Sequence, residues 1–227
     1  MERKIVFAEW EYYHIYNRGV DKRIIFLDNE DRLRFHRLLH IANSTKPVVY
    51  KLIQRLPLDK VEIGEKIVAI GAYVLMDNHF HILMKEISAG GISLFMEKLT
   101  TSYSKYFNKK HSRHGHLFQG TFKAEHVDTD EYLKYLYSYI HLNPVKLIDS
   151  TWKEKGIKNL SKAKQYLEQY RYSSYEDYAM GMREESAILT PSEFPDYFEK
   201  AHEFNDFIND WLELKKEMGV DVTPMST

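Results

Sequence analysis

The chain has 227 residues, 44% of them hydrophobic and 29% charged, a globular composition sized for one domain or one domain with an appendage. It has no cysteine, which excludes disulfides, thiolate zinc sites, iron–sulfur clusters and cysteine nucleophiles, so any metal must rest on His, carboxylate or amide groups. The net charge of −1 hides an asymmetry: residues 181–227 hold 4 Lys/Arg against 11 Asp/Glu, and the first 180 residues hold 28 against 22.

In chain order, Tyr12-Tyr13-His14-Ile15-Tyr16-Asn17 is aromatic and β-branched and reads as a strand closed by Gly19. Asp28-Asn29-Glu30-Asp31 sets caps and acids ahead of Leu33, Phe35, Leu38, Leu39 and Ile41, which predicts a helix that ends at the breaker run 43–47. Residues 48–56 read as a strand, 57–65 as a polar connection and 67–76 as a buried strand. After the turn signal Asp77-Asn78, residues 79–85 read as the return strand of a hairpin. A helix is predicted over 92–107, then a basic loop over 109–115, and one or two short strands within 116–127. Asp128-Thr129-Asp130-Glu131 opens a helix to about Leu142, which Pro144 ends; further helices are expected over 161–170 and 198–218. The order predicts an α+β fold, an antiparallel sheet with helices on one face. No apolar run of 18 residues occurs, and the first ten residues lack the apolar region of a signal peptide, so the expectation is no membrane and a cytoplasmic address.

Two groups carry chemistry. His79-Phe80-His81 lies on a predicted strand, where residues two apart share a face; both imidazoles then emerge together and can hold a divalent cation. The second such pair, His114-Gly115-His116, sits in a polar loop without rigid support. On the helix ending near Leu142, Tyr132, Tyr135 and Tyr139 share a face and Asn143 follows Tyr139 by four residues. A phenol can serve as a covalent nucleophile, and an aromatic stripe of this kind can equally be core. Residues 98–126 carry six Lys/Arg against one acid, with aromatic residues interleaved, and 151–166 carry five Lys against Glu154. Such a pattern suits single-stranded nucleic acid, with cations along the backbone and rings stacking on bases.

Met76-Asp77-Asn78-His79-Phe80-His81-Ile82-Leu83-Met84 resembles the HUH signature of single-strand tyrosine transposases. Phe118-Gln119-Gly120-Thr121-Phe122-Lys123, then Tyr139-Ile140-His141-Leu142-Asn143-Pro144-Val145, is similar to the REP-associated tyrosine transposase branch of the IS200-like superfamily. Tyr12 to Gly19 and Tyr172-Ser173-Ser174-Tyr175 also fit, and the resemblance spans about 12–181. Asp77, Thr121, Tyr172 and Lys146-Leu147-Ile148 depart from the usual pattern.

The resemblance implies a ferredoxin-like sheet, with 1–181 as the catalytic domain and 182–227 as an acidic helical extension. It implies a Mg²⁺ or Mn²⁺ ion on His79, His81 and Asn143, with Tyr139 as nucleophile. The expected activity is cleavage and rejoining of hairpin-bearing single-stranded DNA through a 5′-phosphotyrosine, by a monomer or homodimer. Lys105, Lys109, Lys110, Arg113, Gln119 and Lys123 are the expected DNA contacts. The main rival is a non-catalytic nucleic-acid-binding protein on the same fold. A replication initiator or relaxase ranks lower because the chain is short and has no helicase motif, and a zinc hydrolase because no H-E-x-x-H occurs.

Overall fold

Alternating aromatic and apolar residues put one face of Tyr12–Arg18 (β1) into a core, and this strand becomes the centre of the structure. A computed structural model describes residues 5–47 and 49–218. After β1 come the helices Asn29–Ile41 (α1) and Tyr50–Ile53 (α2), the hairpin Val68–Met76 (β2) and His79–Glu86 (β3), and the helix Gly91–Lys110 (α3). Lys123–Val127 (β4) and Asp130–Leu142 (α4) follow, then a 3-10 turn over Asn143–Leu147. The chain ends in Trp152–Lys155 (α5), Leu160–Gln169 (α6), Tyr175–Ala179 (α7) and Ala201–Met218 (α8).

The four strands form one sheet in the order β2-β3-β1-β4, every neighbouring pair antiparallel. With a helix crossing over between β1 and β2 and another between β3 and β4, this is the ferredoxin-like arrangement. The fold is α+β, as the sequence predicts. Helix starts follow the cap chemistry: the Asp28 carboxylate accepts from Asp31 N–H ahead of α1, and the Thr129 hydroxyl accepts from Tyr132 N–H ahead of α4.

Phe35, Leu38 and Leu39 of α1 and Phe95, Leu99 and Tyr103 of α3 cover one face of the sheet, against Tyr13, Ile15, Phe80, Ile82 and Met84. The opposite face also takes a helix: Leu133, Leu136, Tyr137 and Ile140 of α4 pack on Ala69, Ala72, Val74 and Leu83. A register shift between Ile70 and Ala72 exchanges which alternate residues of β2 face which layer: Val68 and Ile70 before it and Tyr73 and Leu75 after it join the α1–α3 core. Gly71 sits in that bulge, where a Cβ would come within 2.7 Å of the Phe194 ring.

The outer edge of β2 is not bare. Leu75 N–H donates to Tyr172 O, Ser174 N–H to Tyr73 O and Thr190 N–H to Ile70 O. The strand expected over 48–56 does not form: Val48 lies outside the described residues, Tyr50–Ile53 is a single helical turn, and Val49, Leu52 and Leu56 are exposed. Its apolar run has no partner strand to satisfy an extended backbone. Of the strands expected within 116–127, Lys123–Val127 forms, and Phe118 contributes one isolated bridge to Gly19.

Residues on both sides of 181 share a core. Leu142, Val145 and Trp152 pack with Phe204, Ile208 and Leu212 of α8. Arg183 donates to Ser173 O and to Asp177, and its guanidinium also meets Tyr73 Oη. Residues 219–227 of the expected acidic extension lie outside the described residues. Among the described residues, no helix is long and apolar enough to cross a membrane.

Candidate active site

The hairpin β2–β3 sends His79 and His81 to the α4 face, while Phe80 is fully buried in the opposite core. The two imidazole centroids are 5.1 Å apart, with ring planes nearly perpendicular. His79 Nδ1 lies 2.6 Å from Asn78 Oδ1, and His81 Nδ1 lies 2.9 Å from His14 Nε2. Among the described residues, each ring therefore has Nδ1 engaged and Nε2 without a hydrogen bond. Burial pulls the His79 pKa down to about 4, helped by the Lys146 and Lys153 ammonium groups. Burial, with His14 and His79 nearby, holds His81 well below the usual histidine range. Both rings are neutral near pH 7, the form that binds metal.

Helix α4 brings Tyr139 over this pair. Its ring meets His81 edge-on at 5.3 Å and His14 at 5.8 Å. Burial raises the phenol's pKa, and the Asn143 side chain draws it down. Asn143 is 2% exposed, and its Nδ2 makes no hydrogen bond among the described residues. The Lys153 ammonium of α5 stands 4.3 Å from the Tyr139 ring centroid. Tyr132 and Tyr135 continue the same aromatic stripe, at 6.3 Å and 6.0 Å between successive rings, whereas Tyr137 is buried against Tyr178 and Phe198.

Two neutral imidazoles on one face suit a divalent cation that keeps open positions for substrate oxygens, and the buried Asn143 carboxamide would join them through its oxygen, not through the unpaired Nδ2. A second cluster, Asp28, Asp31 and His111, brings ligand atoms within 4.8 Å of one another. Its oxygens already hold a cation: Lys110 Nζ lies 2.8 Å from Asp28, 2.9 Å from Glu30 and 3.0 Å from Asp31. It reads as the ion-paired start of α1 rather than a metal centre.

The expected DNA contacts scatter. Lys105 lines an open cleft of about 690 Å³ between α3 and the 115–122 loop, together with Ser104, Asn108, His116 and Phe122. Lys109, Gln119 and Lys123 are exposed, and Gln119 accepts from the Arg18 guanidinium. Arg113 donates to Asn108 and to the His116 carbonyl. Lys110 is engaged in the acidic cluster. Sequence reasoning did not single out His14, Tyr16, Glu125 or Lys153. Glu125 accepts from Tyr16 Oη at 2.8 Å and Tyr132 Oη at 3.0 Å, and lies 3.5 Å from His14 Nδ1. Only the period-two alternation His14–Tyr16 on a predicted strand could have flagged the first two.

No curated protein matches the chain in sequence. Among solved structures, it is similar to a REP-associated tyrosine transposase bound to a REP hairpin, at 14% identity and a TM-score of 0.46, over 78% of this chain and 84% of that one. It is also similar to the tRNA(His) guanylyltransferase of Saccharomyces cerevisiae, at 12% identity and a TM-score of 0.37, over 88% and 85%. Residues 60–143, a span that contains His79, His81, Tyr139 and Asn143, match the family model described as Transposase IS200 like.

Proposed function

We propose that the protein cleaves and rejoins single-stranded, hairpin-forming DNA through a covalent link between Tyr139 and a 5′-phosphate. The observation that carries this reading is the convergence on one sheet face of Tyr139 from α4 and the His79–His81 pair from β3, inside the span that matches the transposase family. His79 and His81, with the Asn143 oxygen, would hold Mg²⁺ or Mn²⁺, and such an ion would supply charge withdrawal at a phosphate oxygen. The Tyr139 oxygen attacks phosphorus, the bond to the 3′ oxygen breaks, and that oxygen leaves with a proton as a free 3′-hydroxyl. Attack by a 3′-hydroxyl on the phosphotyrosine reverses the step, so no nucleotide cofactor is consumed. Burial keeps Tyr139 a phenol at rest, so the proton must leave as the bond forms. Lys105, Lys109 and Lys123 offer exposed cations for the DNA backbone.

The test is incubation of the full chain with hairpin-bearing single-stranded DNA and Mn²⁺, followed by a denaturing gel. A covalent adduct is expected with the wild type and none with Tyr139→Phe. The substitution keeps the ring, so thermal stability should fall by no more than about 1 kcal/mol, the scale of one hydrogen bond. Tyr135→Phe should retain the adduct. DNA binding with no adduct from the wild type would favour the non-catalytic alternative.

A further inference from the structure

The surroundings of His81 contain a chain of polar contacts, one hydrogen bond and one ion-pair contact, that the proposed chemistry does not itself require. His14 of β1 lies between His81 and Glu125, with Nε2 2.9 Å from His81 Nδ1 and Nδ1 3.5 Å from Glu125 Oε2. It is 5% exposed, with the Tyr16 ring at 5.0 Å and the Tyr139 ring at 5.8 Å, so its orientation is fixed by packing on both sides. We propose that His14 is a positioning residue: aligned by Glu125, it holds His81 in the tautomer that leaves His81 Nε2 bare for the cation. The inference rests on the two-histidine metal site of the preceding section.

A single proton fits between two ring nitrogens 2.9 Å apart. If His14 Nε2 carried it, either a neutral His14 would turn a bare Nδ1 toward the Glu125 carboxylate, lone pair against anion, or a doubly protonated His14 would set a positive charge against the cation that His81 is to hold. If His81 Nδ1 carries it, His14 Nδ1–H points at Glu125, and every polar contact is donor to acceptor. Glu125 is placed for this by two further donors, the Tyr16 and Tyr132 hydroxyls at 2.8 Å and 3.0 Å. With its proton on Nδ1, neutral His81 has its lone pair on Nε2. A ring nitrogen of a metal ligand held by a carboxylate-anchored partner is a recognised way to fix ring orientation and raise ligand basicity. The sheet register explains how this chain forms. His81 pairs with Tyr16 and His14 with Leu83 across β1–β3, while His14 pairs with Glu125 across β1–β4, so β1 relays from β4 to β3.

Three measurements on the full-length protein test this. The first is nitrogen-15 NMR of the imidazoles in metal-free protein above pH 7, where His81 should carry its proton on Nδ1. The second is Mn²⁺ affinity without DNA, read by electron paramagnetic resonance. His14→Phe keeps a ring but removes the acceptor, and should weaken Mn²⁺ binding by about 10–100-fold, the usual scale for loss of such a partner. His14→Gln, whose carbonyl can accept from His81, should recover part of that loss. Thermal melting run beside both variants separates a tautomer effect from unfolding. The third is a count of imidazole nitrogens on bound Mn²⁺ by electron spin echo modulation, expected to give two. Three coupled imidazoles would make His14 a ligand and overturn the proposal. Unchanged Mn²⁺ affinity in His14→Phe, or a proton on His81 Nε2 in the metal-free protein, would overturn it as well. A wild type that binds no Mn²⁺ overturns the underlying site reading and the proposal together, a result distinct from these.

Discussion

His36 and His141 are both sealed inside the protein, but they are satisfied differently. His141 Nδ1 lies 2.8 Å from Tyr137 O and its Nε2 2.7 Å from Ser174 Oγ. His36, between the Tyr73 and Tyr172 rings, has no partner for either nitrogen among the described residues. Burial pushes the His36 pKa down to about 3, with Arg183 and Arg171 adding to the effect. Between about pH 3 and the unfolded value near 6.5 the unfolded chain binds a proton that the folded protein refuses, so stability rises with pH through this window and is complete above it. The slope from one such group is at most about 1.4 kcal/mol per pH unit. His36→Phe should therefore flatten the fall of the melting temperature between pH 7 and 4, and at pH 7 it should be neutral or stabilising, since two unsatisfied nitrogens leave the core. Circular dichroism melts at several pH values check this; an unchanged pH slope in the variant would refute it. At this scale the sequence was legible where spacing alone decides. His79 and His81 share a face because a strand has period two. His14, Glu125 and His36 gain their roles from strand register and tertiary burial, which no local pattern encodes.

At the scale of elements, α4 was readable from its caps and its aromatic stripe, whereas α5 was not. Trp152–Lys155 is a single helical turn anchored by the buried Trp152, too short to leave a periodic signature. Yet it sets Lys153 4.3 Å from the ring of the proposed nucleophile, and the same ammonium presses on the His79 and His81 pKa values. A cation there favours the negative charge that gathers on the attacking oxygen and the phosphate. Lys153→Met keeps the aliphatic stem and removes the charge. The rate of adduct formation should fall by about tenfold or more, the scale of a hydrogen bond to a charged group, with melting unchanged. An unaltered rate on a single-turnover gel would remove Lys153 from the chemistry. The failed strand at 48–56 shows the converse: its short apolar run mimicked a strand, but the β2 edge was already taken by Tyr172–Ser174, which lies a hundred residues further on.

At the scale of the whole molecule, the acidic tail is where charge and packing part company. Composition separated a basic body from an acidic end, but could not show that Phe204, Ile208 and Leu212 of α8 would be buried against Trp152 and Val145. The same helix turns Asp206, Asp210 and Glu213 outward, and its Trp211 ring lies 5.6 Å from Tyr135 on the stripe that ends at Tyr139. Exposed carboxylates on a helix that reaches this stripe repel a phosphate bound at Tyr139 if they lie within about a Debye length of it, ~10 Å at 0.1 M salt. Deleting the tail after residue 181 would not isolate this effect, because it would also empty the core and remove the Arg183 contacts. Neutralising it would: Asp206→Asn, Asp210→Asn and Glu213→Gln leave the buried face intact. The triple variant should bind hairpin-bearing single-stranded DNA about threefold to tenfold tighter than wild type in low salt, and the gap should close as screening shortens the reach of the charges. Fluorescence anisotropy titrations at several salt concentrations read both quantities. Equal affinity at low salt would mean that the DNA passes α8 at a distance, and a gap that persists at high salt would mean the three side chains act by contact rather than by field.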